Sequence, residues 1–441
     1  MIAKRHLVVG LGTSGLSAGQ FLYNKKLPFV INDNRPNPPG LAQARSIVDP
    51  NDLHLGAWDL ALLKDVERVV VSPGVSHNEP IIQAAKTMGL PVIGDIQLFA
   101  ESVQAPVIGI TGTNGKSTVT TLVAQLLEAS GHTVLAGGNL GRPALDLLKD
   151  DVPQFYVLEL SSYQLEATHS LRLAAATVLN LTPDHMDRYV SVKDYAMAKA
   201  RIFDHAEVGV LNADDSWVKS MGTAQMKKVF FSESDRGREF VLDKSTNAVR
   251  LLAHGKVVLT DSDIQLKGHH NHLNVLAALA ILDSLNVNLD TIKTALKSFR
   301  GLPHRMETVD VVAGVTYIND SKGTNVGATI AAIKGSTAPV VLIAGGDGKG
   351  QDFSELMDAC RSTVHHAILL GRDARAIGAV LENVCAVTYV ENLEDAVRCS
   401  ASVARHGDWV LMSPACASLD MFENYAHRGR VFHDAVARLS A

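Results

Sequence analysis

The stretch "TGTNGKST" places Gly112, Thr113, Asn114, Gly115, Lys116, Ser117 and Thr118 between an apolar run, "PVIGI", and a helical pattern that ends at Gly131. Glycines let successive backbone N–H groups turn toward phosphate oxygens, and the partial positive charge of a helix N-terminus adds to their attraction. A lysine in this place reaches the outer phosphates, and the hydroxyl after it is a ligand for Mg²⁺. The chemistry expected is binding of a nucleoside triphosphate and transfer of its phosphate. The match to G-x-x-x-x-G-K-[ST] is incomplete, because Ile110 stands where the first glycine would be.

A second glycine loop precedes it. "GLGTSG" sets Gly10, Gly12 and Gly15 in the order G-x-G-x-x-G after the run "HLVVG", and Asp33 follows Gly12 by 21 positions. Alone, this pattern belongs to a dinucleotide site and so to an NAD(P)-dependent oxidoreductase. That reading leaves the lysine loop, Glu159 and His185 unexplained. Glu159 closes the run "FYVLEL" and would emerge at the C-terminal edge of a strand beside the phosphate loop. A carboxylate there suits a metal; an ordinary loop-edge acid is the alternative. His185 has Asp184 and Asp187 as neighbours in "PDHMDR", and a lone histidine is more often structural than a ligand.

These residues need elements to hold them. Strand-like runs alternate with helical patterns almost throughout, which predicts α/β layers built on parallel sheets. "HLVVG", "PFVIND", "RVVVSPG" and "PVIGD" read as the strands of a first unit. "FYVLELS", "AATVLNLT" and "VGVLNADD" continue a second, and "VTYIND", "APVVLIAGG", "HHAILLG", "AVTYV" and "DWVLMSP" form a third. Residues 225–267 break the rhythm, with short runs as far as "SDIQLKG" that read as hairpin strands of a small β-rich insertion. A helix is expected near "NHLNVLAALAILDSLN". The division is 1–94, Rossmann-like; 95–300, of the phosphate-loop ATPase type with the insertion; and 301–441, again Rossmann-like.

Composition narrows the partners. Over 441 residues the formal net charge is −5 and cations are scattered, which disfavours a nucleic-acid surface. After Lys4 and Arg5 only a few apolar residues precede a glycine loop, so a buried strand is expected rather than a leader. No apolar run approaches the ~20 residues that cross a bilayer. The four cysteines, Cys360, Cys385, Cys399 and Cys416, make no C-x-x-C and read as packing residues of a reducing cytoplasm.

The chain resembles the Mur ligase family, whose phosphate loop takes the shorter form G-x-x-G-K-[ST]. The likeness extends through "LELSSYQLE" at 158–166, "LNLTPDHMDRY" at 179–189, "YAMAKARIF" at 195–203 and "GHHNHLNVLAALA" at 268–280. It continues through "GLPHRME" at 301–307, "INDSKGTN" at 318–325, "GGDGKGQDF" at 345–353 and "SPACASLDMFENYAHRG" at 413–429. The last four look most like the member that adds D-glutamate. The resemblance implies a cytoplasmic, monomeric, ATP-dependent amide ligase of peptidoglycan precursor synthesis, with two Mg²⁺ sites. Its substrates would be UDP-N-acetylmuramoyl-L-alanine and D-glutamate. Another acceptor, as in other Mur-type or folylpolyglutamate-type ligases, is the alternative.

The resemblance also carries roles to positions of this sequence. It implies Lys116, Glu159, His185 and a carbamylated Lys199 as catalytic, with Ser117, Glu159, His185 and Lys199 holding metal. The nucleotide would meet residues 112–118 with Asn139, Asn274, Arg305 and Asp320. The UDP-bearing substrate would meet Thr13, Ser14, Asp33, Asn34, Ser72, Gly74, Asn139, Gln164 and His185, with Asp33 near the uracil. D-glutamate would meet Lys322, Thr324, Lys349, Ser418, Leu419 and Tyr425. Two positions depart from the family pattern: Gly323 replaces a common alanine, and Tyr425 stands where phenylalanine is frequent.

Overall fold

Val- and Ile-rich runs buried on both faces make parallel strands, and here they assemble three sheets. The computed structural model describes residues 5–244, 248–266 and 269–439. Lys4, and the Lys267 and Gly268 that end one expected strand and open one family stretch, lie outside them.

The first sheet runs Leu53–Leu55, Phe29–Asp33, Arg5–Val9, Val66–Val71, Val92–Ile93 across its width, all parallel. The chain leaves Arg5–Val9 toward one side and returns to Val66–Val71 on the other. A crevice must open between the loops that follow those two strands. One of these loops is "GLGTSG" and the other begins at Ser72.

The second sheet has nine strands, with Val107–Thr111 between Leu173–Val178 and Phe155–Glu159. It too switches direction at the strand that feeds the phosphate loop. Ile110 pairs with Glu159 in register, so the acid ends its strand alongside that loop. The third sheet orders Glu307–Val312, Val315–Asn319, Trp409–Met412, Val340–Gly345, Val364–Leu370 and Ala386–Tyr389, with only the first strand antiparallel to its neighbour.

The stretch expected as an insertion is the edge of the second sheet. Lys227–Ser232 and Phe240–Asp243 pair in parallel, and only Phe240–Asp243, Arg250–Ala253 and Lys256–Thr260 run antiparallel. Phe231, Phe240, Leu242, Leu251 and Leu259 share one core with the buried helix His269–Ser284, which explains why these strands extend the sheet. "SDIQLKG" does not form a strand through Leu266. Thr260 and Asp263 cap one another reciprocally, which closes Asp261–Asp263 into a 3₁₀ turn. Three further strands lie outside the expected runs: Leu53–Leu55 is three residues long, Val134–Gly138 ends in two glycines, and Glu307–Val312 has no buried residue.

The glycine loop is sterically committed. A Cβ on Gly15 would lie 1.8 Å from the Gly10 carbonyl oxygen and 2.6 Å from Ser72 Oγ, whereas one on Gly12 would meet nothing within 4 Å. Gly15→Ala is expected to destabilise the protein by at least about 2 kcal/mol. Gly12→Ala is expected to leave the melting temperature nearly unchanged, and thermal denaturation of the two variants checks the contrast.

Candidate active site

The first crevice is a cleft of about 580 Å³. Thr13, Ser14, Asp33, Asn34, Ser72 and Gly74 line it from the first sheet, and Asn139 and Gln164 close it from the second. Eight residues expected to meet the UDP-bearing substrate are therefore gathered in one place; the ninth, His185, is not in the lining. Ser72 Oγ donates to the Gly10 carbonyl at 2.7 Å and ties the two loops together.

Asp33 behaves differently from the expectation of a base-binding acid. Its Oδ2 accepts from Leu11 N–H at 2.6 Å and from Arg35 Nη2 at 2.7 Å. Its Oδ1 accepts from Arg35 N–H at 2.8 Å and Arg35 Nε at 2.9 Å. Four donors fill a carboxylate's acceptor sites. Burial alone would raise this carboxyl, but the Arg35 guanidinium and the Leu11 N–H hold it below its usual range. Asp33 thus fixes the loop and aims Arg35, which lines the cleft and was not anticipated.

At the phosphate loop, Gly115 sits at φ +85° and a Cβ there would meet Asn274 Oδ1 at 2.5 Å, so glycine is required twice over. Lys116 Nζ folds back to donate to the carbonyls of Gly112 and Thr113, each at 2.8 Å. Burial lowers its pKa. Asn180 braces the loop, accepting from Asn114 N–H at 2.8 Å and donating to its carbonyl at 3.1 Å. Asn180 follows a strand directly in "LNLT", a position whose importance only the folded loop reveals.

Glu159 is buried, and its Oε1 accepts from Asn139 Nδ2 at 2.7 Å. Its Oε2 is buried and has no hydrogen-bond partner among the described residues. Burial would raise this acid, but Lys116, the Ser117 hydroxyl and the Asn139 amide hold it below the usual carboxylate range, so it is an anion. An ionised, orphaned oxygen beside a hydroxyl fits a hard cation. Among the described residues no group of three or more His, Cys, Asp or Glu forms a metal centre. Mg²⁺ takes one or two protein oxygens and completes its shell with phosphate and water.

Lys199 and His185 fit the second expected site less directly. Lys199, 1 % exposed on the helix Val192–Ala200, donates to the Gly112 carbonyl at 2.8 Å and to Thr111 Oγ1 at 3.4 Å. Burial and the Lys116 charge push its pKa well below the ordinary lysine value. A deprotonated amine is the form that takes up CO₂. His185 sits at φ +59° with Nδ1 2.8 Å from Tyr163 Oη. Burial, against the pull of Asp184, brings it down to about 4, so the ring is neutral near pH 7.

A second cavity, of about 160 Å³, lies between the phosphate loop, the helix His269–Ser284 and the third unit. Asn114, Gly115, Thr118, Asn274, Arg305 and Asp320 line it as expected of nucleotide residues. Asn180, His270 and Asn271 line it as well and were not anticipated. Asn139, expected here as well as in the first cleft, lines the first cleft, where it donates to Glu159. Arg305 is half-buried, donating from Nη2 to Ser117 Oγ at 3.0 Å. Asn325 Nδ2 donates to Asn114 Oδ1 and to Asp184 Oδ2, each at 3.2 Å. The third unit is thus docked on the phosphate loop.

Of the residues expected to meet D-glutamate, Lys322 lines this cavity, and Thr324, Lys349, Ser418, Leu419 and Tyr425 line neither cleft. Lys322 Nζ lies 3.8 Å from the centre of the Tyr425 ring, and burial brings it down to about 8. Ser418 is buried and Leu419 is 70 % exposed. Arg428, also unanticipated, is buried and donates to the carbonyls of Ser321 and Cys416, joining the two loops that carry these residues.

Asp320 yields a prediction in pH. Burial pushes its carboxyl up to about 6, although Ser413 Oγ donates to it at 2.7 Å. Between the unfolded acid's value and 6 the folded chain binds the extra proton, so stability falls as pH rises through that window and stays lower above it. Asp320→Asn is expected to raise ligand-free stability at pH 7.5 by up to about 3 kcal/mol and to flatten the slope between about pH 4 and 6. Urea denaturation across pH measures both.

Comparison with known proteins agrees with the geometry. Residues 4–94 match the MurD-like N-terminal domain of Mur ligases, 110–282 the Mur ligase middle domain, and 304–416 the Mur ligase glutamate ligase domain. The chain is 46 % identical to a UDP-N-acetylmuramoylalanine–D-glutamate ligase of Methylobacillus flagellatus, covering 99 % of this chain and 97 % of that one. It is 43 % identical to the Pseudomonas aeruginosa protein of the same name, covering all of both. Among solved structures, the UDP-N-acetylmuramate-alanine ligase of Thermotoga maritima superposes with a TM-score of 0.63 at 19 % identity, over 99 % of each chain. The MurF ligase of Thermotoga maritima, crystallised with ADP, gives 0.61 at 15 % identity over 99 % of this chain and 98 % of that one. Among the described residues no helix is long and apolar enough to cross a membrane. With a phosphate loop at one switch point, a cleft at another, three matching family domains and 46 % identity to a named relative over nearly the whole of both chains, the chain belongs to the Mur ligase family.

Proposed function

We propose that this chain is an ATP-dependent ligase that joins D-glutamate to UDP-N-acetylmuramoyl-L-alanine, giving ADP and phosphate, in cytoplasmic peptidoglycan precursor synthesis. One contact carries the reading: Asn139, in the wall of the first cleft, donates at 2.7 Å to Glu159, beside the phosphate loop. The wall of the first cleft is therefore tied by one side-chain pair to the strand end beside the phosphate loop. A precursor anchored by its diphosphate near Thr13 and Ser14 would extend its alanyl carboxylate toward that pair, where the γ-phosphate of ATP would lie.

The reaction then balances simply. A carboxylate oxygen attacks the γ-phosphorus, the bond to the β-bridging oxygen breaks, and ADP departs from an acyl phosphate. The amine of D-glutamate adds to the acyl carbon, loses a proton, and the tetrahedral intermediate expels phosphate. The protein's part is to align reactants and neutralise charge. Lys116 would leave the Gly112 and Thr113 carbonyls for the outer phosphates, and Arg305 would approach the same oxygens from the third unit. Asn274 and the 112–118 loop would hold the nucleotide. Mg²⁺ at Ser117 and Glu159, and a second ion at His185 and carbamylated Lys199, would supply charge stabilisation to the phosphoryl group. Lys322, Thr324, Lys349, Ser418, Leu419 and Tyr425 would receive the amino acid, whose two carboxylates suit two lysines.

The division at residues 94 and 300, the monomeric state and a link to cell shape and division complete the proposal. Phosphate release is expected only when ATP, Mg²⁺, the UDP-linked precursor and D-glutamate are all present, and omission of each in turn checks it. With NAD(P)H neither fluorescence enhancement nor hydride consumption is expected; either would revive the oxidoreductase alternative.

A further inference from the structure

The chain of contacts that ends at His185 begins in the first cleft. Pro73, Gly74 and Val75 form part of its wall, following Ser72 in a turn closed by Val75 N–H to the Ser72 carbonyl at 2.9 Å. The carbonyls of this turn point at Arg188. Its Nη1 donates to Pro73 at 3.1 Å and to Val75 at 3.4 Å, and its Nη2 donates to Glu166 Oε2 at 2.6 Å. The guanidinium so held lies 4.0 Å from the centre of the Tyr163 ring. Tyr163 Oη is in turn the group 2.8 Å from His185 Nδ1. Arg188 and Glu166 are both largely shielded from water, with side chains 12 % and 18 % exposed, where a guanidinium held by one carboxylate and two carbonyls and stacked on a ring is strongly oriented.

We infer that Arg188 and Tyr163 are positioning residues that couple occupancy of the first cleft to the orientation of His185. In the tautomer whose Nδ1–H donates into the phenol oxygen, Nε2, 3.8 Å from Asp184 Oδ2, keeps its lone pair for the reaction side of the ring. The same ring cannot rotate without breaking that bond. A diphosphate that orders the Ser72–Val75 turn orders Arg188, and through the stacked ring it orders the histidine. The His185 ring also faces Asp184 Oδ2, 3.8 Å from Nε2, and the Tyr195 ring, 6.3 Å away between centroids, and the phenol of Tyr163 makes its shortest polar side-chain contact, at 2.8 Å. The inference rests on the assignment of the first cleft to the UDP end of the substrate.

The test uses the full chain with ¹⁵N-histidine, free of metal and ATP, and uridine 5′-diphosphate as the probe. Calorimetry reads binding, and the His185 ring nitrogens, assigned with His185→Asn, read the tautomer. Wild type is expected to show a fixed Nδ1–H tautomer whose signals sharpen or shift with the probe. Tyr163→Phe should bind the probe with unchanged affinity yet show averaged tautomers and no response. Arg188→Lys, which keeps the charge but loses the two-pronged grip, should keep the tautomer and lose most of the response. In turnover both variants should lose about 10- to 100-fold in kcat with the KM for the precursor nearly unchanged. Binding of the probe with the same His185 response in all three proteins overturns the relay alone. So does a rise in KM at constant kcat, which would make Arg188 merely part of the cleft wall. Absence of probe binding to wild type removes the cleft assignment, and the relay with it.

Discussion

Lys116→Met is expected to lower kcat by about 10³-fold or more while the ligand-free protein melts no lower than wild type. The two halves of this result have one cause. Without nucleotide the ammonium is buried against the Gly112 and Thr113 carbonyls, and burial lowers its pKa. A lysine whose folded pKa lies below its unfolded value opposes folding at every pH below that unfolded value, so replacing it with an apolar chain relieves a cost. The same charge is placed where phosphoryl oxygens develop theirs, and methionine supplies nothing there. Single-turnover phosphate release and thermal denaturation, run on one preparation, separate catalysis from folding. A variant that is inactive because it is unfolded would contradict the assignment.

Lys199→Arg is expected to be as damaging, again about 10³-fold in kcat. Lys199 is fully buried beneath the phosphate loop, with Gly112 and Thr111 as its partners and its pKa well below normal. An unprotonated amine adds CO₂ and releases a proton to become a carbamate anion, whereas a guanidinium stays protonated and cannot. Wild-type protein equilibrated with ¹³C-bicarbonate should show a single slowly exchanging carbamate resonance, absent from Lys199→Arg. Full activity in Lys199→Arg would remove the carbamate from the account.

The parts of this site legible in the sequence are those written in local spacing. The glycines, lysine and serine of residues 112–118 needed no tertiary knowledge, because strand, turn and helix follow one another directly. The doubly wound sheets were legible for the same reason, as apolar runs at regular intervals. Pairings between distant residues were not. Asn139 with Glu159, Asn180 with Asn114, and Tyr163 with His185 depend on which strand ends lie side by side, and that is set by strand order. Asp33 shows how a correct motif can hide its partner. The acid stands where a ribose or base would meet it, yet Arg35, two residues on, fills its oxygens. Short strands look alike whether they form a separate hairpin or extend a neighbour, so residues 225–267 are legible as β-rich but not as the edge of the second sheet. The buried helix His269–Ser284 beneath them decides it.

The central claim is that the energy of ATP is used to join D-glutamate to a UDP-linked muramoyl-alanine. The most direct test offers the purified enzyme that precursor with ATP and Mg²⁺ and a panel of acceptors: D-glutamate, L-glutamate, L-alanine, L-lysine and meso-diaminopimelate. The product of each is then weighed by mass spectrometry. The account predicts a product heavier by one dehydrated glutamate with the D-isomer and little or none with the others. Equal yield from L-alanine, L-lysine or meso-diaminopimelate would contradict it.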